Sequence, residues 1–424
     1  MAGLPAQAGS VTEDVTTTSS RTTSFRLLIL AGFASLTGDG VRIAALPLFA
    51  AVSTHSPLAV SAVAVAEVLP WLLVALPAGT LVDRRSPRSV VLAAHTGRAL
   101  VVAALAVAVV THHAGVPVLV VAAFLITSGE TFADSAYQSL LVELAGRDRL
   151  DRANSWYVSA ETLGLDLGGP LLAAALFIWS PAACFGLNAV LFVVSAACVA
   201  MLPDVAVAPA IPVPRDGSTP GQAPRLRQQL LEGARFLLRD RALRVLIMAV
   251  VVAALAASAA NAIISLYAIE TLAVRTALVP TLWAVQAIGT LGAAWLIPRL
   301  AARFGEGRMM VGALALLGLA FLVVGAVPVA GAVWAAYLVV GAGAGGWNVL
   351  SATRRQRLTP GAMMGRVTSA YRMLAWGLMP LGAALAGPLA KGTSLATVFV
   401  AVGALVTIVA ITLARPLVRT AGNR

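Results

Sequence analysis

Six carboxylates lie inside long apolar stretches of this 424-residue chain: Asp39, Glu67, Glu130, Asp134, Glu161 and Asp166. Arg42 and Arg98 share those stretches. Carrying an ionisable side chain into a bilayer costs at least about 2.5–3.5 kcal/mol on insertion scales, so such groups mark pathways, relays or ion pairs. A water-shielded carboxylate without a full share of counter-charge can take up and release a proton near neutral pH, the chemistry that proton coupling needs. The competing use is a fixed ion pair that pins helices together. All six acids precede residue 170, while the second half offers only Arg372 and amides such as Asn261, Gln286 and Asn348.

Spacing sorts these groups. Asp39 and Arg42 are three apart, on one helical face, and can pair locally. Glu130 and Asp134 are four apart, so like charges share a face and repel; at least one is expected to be protonated at rest. Counted from the nearest basic helix end at 1.5 Å per residue, Asp39, Arg42, Glu67, Glu130 and Asp166 lie at about 18–25 Å. Arg98, Asp134 and Glu161 lie at about 12 Å on the same count, a second tier in which Arg98 is expected to pair with Asp134 or Glu161. His95, one turn before Arg98, is a candidate relay.

The positioning elements follow from composition. Hydrophobic residues make up 59% of the chain and charged ones 11%, against about 25% charged in soluble domains. Apolar runs recur near 25–52, 58–82, 90–112, 116–142, 153–177, 181–202, 243–270, 276–302, 309–328, 330–351, 366–390 and 394–414, each long enough to span a bilayer. The expected fold is an all-α membrane protein of twelve transmembrane helices in two six-helix bundles, 25–202 and 243–414. Residues 1–24 read as a disordered tail and 415–424 as a second tail. The linker 203–242 begins Pro-rich and turns basic and amphipathic through 225–244. Arg42, Arg98 and Arg372 lie within spans; of the other 27 basic residues, outside spans or at their ends, all but Arg275 and Lys391 lie on the side of the tails and linker, which the positive-inside rule makes cytoplasmic. The same rule accounts for the net charge of +12 without a nucleic-acid partner. Cys184 and Cys198 share one span about 21 Å apart, beyond disulfide reach.

The halves echo each other, a transporter signature. Pro170-Leu-Leu-Ala-Ala-Ala recurs six spans later as Pro380-Leu-Gly-Ala-Ala-Leu, and the loop after span 2 resembles that after span 8. Gly79-Thr-Leu81-Val-Asp83-Arg84-Arg-Ser-Pro-Arg88 resembles the loop 2–3 signature of the major facilitator superfamily, with Ser86 where a second glycine is usual. Met364 to Gly382 resembles helix 11 of its twelve-span drug:proton antiporter branch, which includes macrolide-efflux and siderophore-export proteins. Gly164, Gly168, Gly169 and Pro170 partly match the antiporter Gly-Pro motif and form a candidate helix-5 hinge. The fourth span departs from many proton antiporters in carrying Glu130 where they carry an arginine.

The resemblance implies export of an amphipathic small molecule in exchange for protons from a bacterial cell membrane, with Asp83 and Arg84 holding a cytoplasmic gate. Candidate substrate-lining residues are Phe33, Trp71, Tyr137, Asn261, Trp283, Gln286, Trp347, Asn348 and Trp376. A nutrient symporter, a membrane-embedded enzyme using Glu130 and Asp134, and a transport-dead sensor are the alternatives. No P-loop, zinc-site or nucleophile-elbow motif occurs in the sequence. The expected partners are therefore a small molecule, protons and the lipid bilayer, without ATP, metal or cofactor, and no enzyme activity is expected.

Overall fold

The computed structural model describes residues 10–82, 85–145, 150–202, 226–360 and 363–422, and all regular structure among them is helical. The first half comprises α1 (Ser10–Thr54), α2 (Pro57–Leu73), α3 (Ala75–Val82), α4 (Pro87–Val110), α5 (Val116–Ala145), α6 (Leu150–Ala160), a π-helical stretch (Glu161–Gly168), α7 (Gly169–Phe177) and α8 (Pro181–Ala200). The linker supplies α9 (Leu226–Arg239). The second half comprises α10 (Arg241–Glu270), α11 (Thr281–Phe304), α12 (Glu306–Ala326), α13 (Ala330–Leu358), α14 (Met364–Gly377), α15 (Met379–Gly392) and α16 (Leu395–Gly422).

Three helices start on the same dipeptide. Ser56-Pro57, Ser86-Pro87 and Ser180-Pro181 open α2, α4 and α8, each serine accepting a backbone N–H of the first turn. Proline fits the first helical position because it has no N–H to strand there. Ser86, the departure from the loop signature, is thus the cap of α4. Helix α1 begins at Ser10, well inside the expected tail; no proline or glycine interrupts residues 10–31, so the helix of the first span extends backwards through them.

Eleven helical stretches among the described residues are long and apolar enough to cross a membrane. The remaining expected span, 58–82, is broken at Val74 into α2 and α3. Pro77 offers no N–H to the carbonyl four residues back, at Leu73, and its ring crowds that carbonyl, which places the break there. The same physics bends the echoed spans. The π-helical stretch ends just before Pro170, and α14 gives way to α15 at Leu378, two residues before Pro380. Large apolar side chains point outward, as in Leu100, Val107 and Val110 of α4 at 62–68% exposure, an arrangement suited to lipid and not to water.

Within the first half α1 packs on α8, α5, α7 and the π-helical stretch; in the second, α12 packs on α16 and α13. The halves meet mainly through α2 against α15, and α10 against α2 and α1. A Cβ at Gly387 of α15 would fall 2.8 Å from the Pro57 carbonyl oxygen. His55 Nδ1 lies 3.2 Å from Glu270 Oε1 at the same end, away from the linker. Cys184 and Cys198 are buried and unbridged, as expected.

Candidate functional site

Helices α1, α2, α4 and α5 bring charged groups from four parts of the chain to one point. Arg42 of α1 donates from Nη1 to Glu67 Oε1 of α2 at 2.8 Å and from Nη2 to Glu130 Oε2 of α5 at 2.9 Å. Its Nε lies 3.5 Å from Asp39 Oδ1, one turn earlier on its own helix. Arg98 of α4 donates to that same Asp39 oxygen, reaches Ser35 Oγ at 3.4 Å and stands 3.8 Å from Glu130 Oε2. Its guanidinium lies over the Phe192 ring of α8 at 4.0 Å, and His95 stacks on that ring from one turn away.

Arginine suits this task because its planar fork of donors serves several carboxylates at once. Gly129, next to Glu130, makes room for the second arginine, since a Cβ there would fall 2.6 Å from Arg98 Cγ. Arg42 and Arg98 are each 2% exposed and Asp39 3%. Two guanidinium groups thus face three carboxylates. With every group ionised, the network carries one negative charge in excess.

Two cavities flank this network. The larger, about 620 Å³, lies toward the linker side and is lined by Asp39, Arg98, Glu130, Asp134, Tyr137, Tyr157, Glu161, Trp71, Arg372 and Trp376 among others. The smaller, about 200 Å³, lies toward the opposite side and is lined by Arg42, Glu67, Glu130, Trp71, Asn261, Trp283 and neighbours. Glu130, Val68, Trp71 and Met379 belong to both walls, so Glu130 stands in the partition between them. Trp71 of α2 meets Trp376 of α14 edge to face, with centroids 5.7 Å apart, and joins the two halves there. The carbonyl of Met379, next to the break at Leu378, accepts a hydrogen bond from Ser258 Oγ at 2.7 Å.

A family model described as Major Facilitator Superfamily matches residues 28–383. The chain belongs to the Major Facilitator Superfamily. Among curated relatives, it is 30% identical over 397 residues to the multidrug efflux pump Tap of Mycolicibacterium fortuitum, covering 88% of this chain and 91% of that one. It is 26% identical over 381 residues to the uncharacterized MFS-type transporter y4rN of Sinorhizobium fredii, covering 89% and 91%. Among solved structures, a mutant of the nucleoside transporter NupG superposes with a TM-score of 0.74 at 13% identity, covering 93% of this chain and 99% of that one, a likeness of fold. The protein is a multi-pass membrane transporter and not an enzyme.

Within this major facilitator fold the expected charges are redistributed. Arg98 pairs with Asp39, not with Asp134 or Glu161, because its long stem lets it reach across from α4 beside Gly129. The two expected tiers therefore merge at Asp39. The local Asp39–Arg42 pair is the longest of Arg42's three contacts. Glu130 and Asp134 share a face but not a partner: Asp134 Oδ1 accepts from Tyr157 Oη at 3.0 Å. Asp166 is exposed and lines neither cavity.

Gly164 packs on Thr37 and Gly169 on Gly40 of α1, so the expected hinge glycines are sites of close helix contact. Gly168 abuts the carbonyl of Leu163 in its own span, and Pro170 is buried in the first turn of α7.

Of the aromatic and amide candidates, Trp71, Tyr137 and Trp376 line the larger cavity, and Trp71, Asn261 and Trp283 the smaller. Phe33 faces a separate apolar groove between α1, α5 and α6. Gln286, Trp347 and Asn348 line neither central cavity. The Gln286 carbonyl lies against Gly341 where α11 and α13 are in close contact, Trp347 is buried in the second-half core, and Asn348 is exposed.

Gly79 and Leu81 sit on α3; Asp83 and Arg84, the expected gate, lie outside the described residues. Arg88 caps the end of α8, donating to the carbonyls of Val199 and Ala200 at 3.2 and 2.7 Å. Tyr157, Gly129 and Ser35 are site residues that the sequence reading did not single out. Only Tyr157 carried a signal, lying one turn ahead of Glu161.

Proposed function

We propose that the protein exports an amphipathic small molecule in exchange for protons, and that its first-half ion network is the coupling device. The observation that carries this reading is the buried network of two arginines and three carboxylates, with Glu130 in the partition between the two cavities. Burial of charge at this density is costly even when paired, which marks the network as functional. The tails and linker are assigned to the cytoplasm by their arginines, within a bacterial cell membrane. The larger cavity then faces the cytoplasm. The tight packing at Gly387, with the His55–Glu270 contact at the same end, closes the external side.

A proton arriving from outside meets Glu67 or Glu130 through the smaller cavity and neutralises the surplus carboxylate. Neutral Glu130 holds Arg42 less strongly, which loosens the clamp that ties α1 to α2 and α5. The fork can then lean toward Glu67 and Asp39 as the helices rearrange, and the proton leaves on the cytoplasmic side. A ligand shifts such an equilibrium only by its differential affinity for the two states, and proton and substrate supply that difference in opposite directions. The 30% identity to a protein named as a multidrug efflux pump supports export.

Proteoliposomes with an imposed pH gradient test the reading, using amphipathic dyes of differing charge. Dye movement should reverse when the gradient is reversed, oppose the proton flux and cease with nigericin. Dye flux indifferent to the gradient, or running with the protons, contradicts it.

A further inference from the structure

The larger cavity carries negative charge that the arginine network does not absorb. Asp134 is held by a neutral donor, Tyr157 Oη, and has no ion pair among the described residues; neither does Glu161, which lines the same cavity. The cation that faces them is Arg372 of α14, with its guanidinium 5.5 Å from the Trp376 ring. Aromatic surfaces adjoin these carboxylates: the Trp71–Trp376 pair, and Tyr137 with Tyr157 at 5.5 Å between centroids. On the same wall, His95 is 2% exposed and its Nδ1 has no hydrogen-bond partner among the described residues. A buried polar atom left unpaired calls for a partner, and His95 belongs to the wall of this cavity.

We propose that this cavity binds an organic monocation with an aromatic or similarly apolar body. Asp134 and Glu161 take the charge, the Trp71–Trp376 pair takes the body, and His95 is available to a polar group of the ligand. The assignment rests on the reading of the protein as an exporter, and it names the charge class of what is exported. A cation gains from two carboxylates that make no ion pair among the described residues and outnumber Arg372, and from aromatic faces that attract positive charge. An anion of the same shape meets repulsion in the same place. Antiport gains a simple logic as well: a cation at Asp134 and Glu161 and a proton on Glu130 each offset the negative charge of one cavity.

Tetraphenylphosphonium and tetraphenylborate have nearly the same size and shape and opposite charge, which makes them the decisive pair of probes. Equilibrium dialysis of each against the purified full-length protein in nanodiscs, with empty nanodiscs as the blank, reads binding directly. Saturable binding should be seen for tetraphenylphosphonium and not for tetraphenylborate. Asp134→Asn should weaken phosphonium binding at least tenfold, Glu161→Gln severalfold, and Glu143→Gln, an exposed acid on the same helix as Asp134, not at all. Equal saturable binding of the borate, no saturable binding of the phosphonium, or unchanged phosphonium affinity in both Asp134→Asn and Glu161→Gln overturns the proposal. The wild-type comparison stands even if a variant fails to fold. A protein that binds the phosphonium selectively but moves no dye under a pH gradient would refute the exchange mechanism and leave this site in place.

Discussion

Arg42 Nη2 lies 2.9 Å from Glu130 Oε2, a contact between residues 88 positions apart that ties α1 to α5. The same guanidinium holds Glu67 of α2 at 2.8 Å, so one side chain fastens three helices. Removing it strands three carboxylates with Arg98 alone. Removing one carboxylate instead brings the network to two charges of each sign. Arg42→Ala should therefore lower stability by about 3–5 kcal/mol, the usual cost of leaving buried charge unpaired. Glu130→Gln should cost far less. Thermal unfolding of the two variants in one detergent checks the order, and a Glu130→Gln protein that melts below Arg42→Ala would reverse the account of charge balance.

The approach of α1 to the fifth span depends on Gly40. A Cβ there would fall 2.4 Å from the Leu165 carbonyl oxygen and 3.0 Å from Gly169 Cα, backbone atoms that cannot rotate away. Gly40→Ala should destabilise by about 1–3 kcal/mol as the helices are forced apart. Gly97 of α4 has nothing within 4 Å of its own notional Cβ. Gly97→Ala should be neutral or stabilising by up to about 1 kcal/mol, through helix propensity. Melting temperatures moving in the same direction and by similar amounts would refute the packing argument.

Arg88 and Asp83 belong to one sequence motif and should behave differently. Arg88 caps α8 through two backbone carbonyls, so Arg88→Ala should cost about 1 kcal/mol and leave the transport rate per folded molecule nearly intact. Asp83→Ala should insert normally and lose most transport, if the motif closes the cytoplasmic side. Normalised dye flux measures both, and wild-type flux in a well-expressed Asp83→Ala protein would reject the gate.

The spans were legible because lipid makes long apolar runs obligatory, and the proline-centred distortions of the fifth and eleventh spans lay at the repeated Pro170 and Pro380. The break at Val74 was not read, although Pro77 stood in the sequence, because an apolar run looks continuous across a helix break. At the site, residue type was informative and pairing was not. Arg98 and Asp39 are 59 residues apart and come together only because α4 and α1 both pack on α8 and α5. The fourth span's missing arginine has a physical answer in that packing: Arg42 and Arg98 bring guanidinium groups to Glu130 from two other helices. Asp166 shows the converse, an acid that the sequence placed at the right depth and the helix turned outward.

The most direct test of first-half coupling separates proton-driven from substrate-driven movement. Glu130→Gln keeps the shape of the side chain and removes its charge, and Asp134→Asn and Asp39→Asn do the same at the neighbouring acids. In proteoliposomes, each is measured for uphill dye transport under a pH gradient and for dye exchange without one. Glu130→Gln should lose gradient-driven accumulation while keeping exchange near the wild-type rate, whereas Asp134→Asn, which also weakens cation binding, should lower both. Undiminished uphill transport with unaltered pH dependence in all three variants would contradict the account.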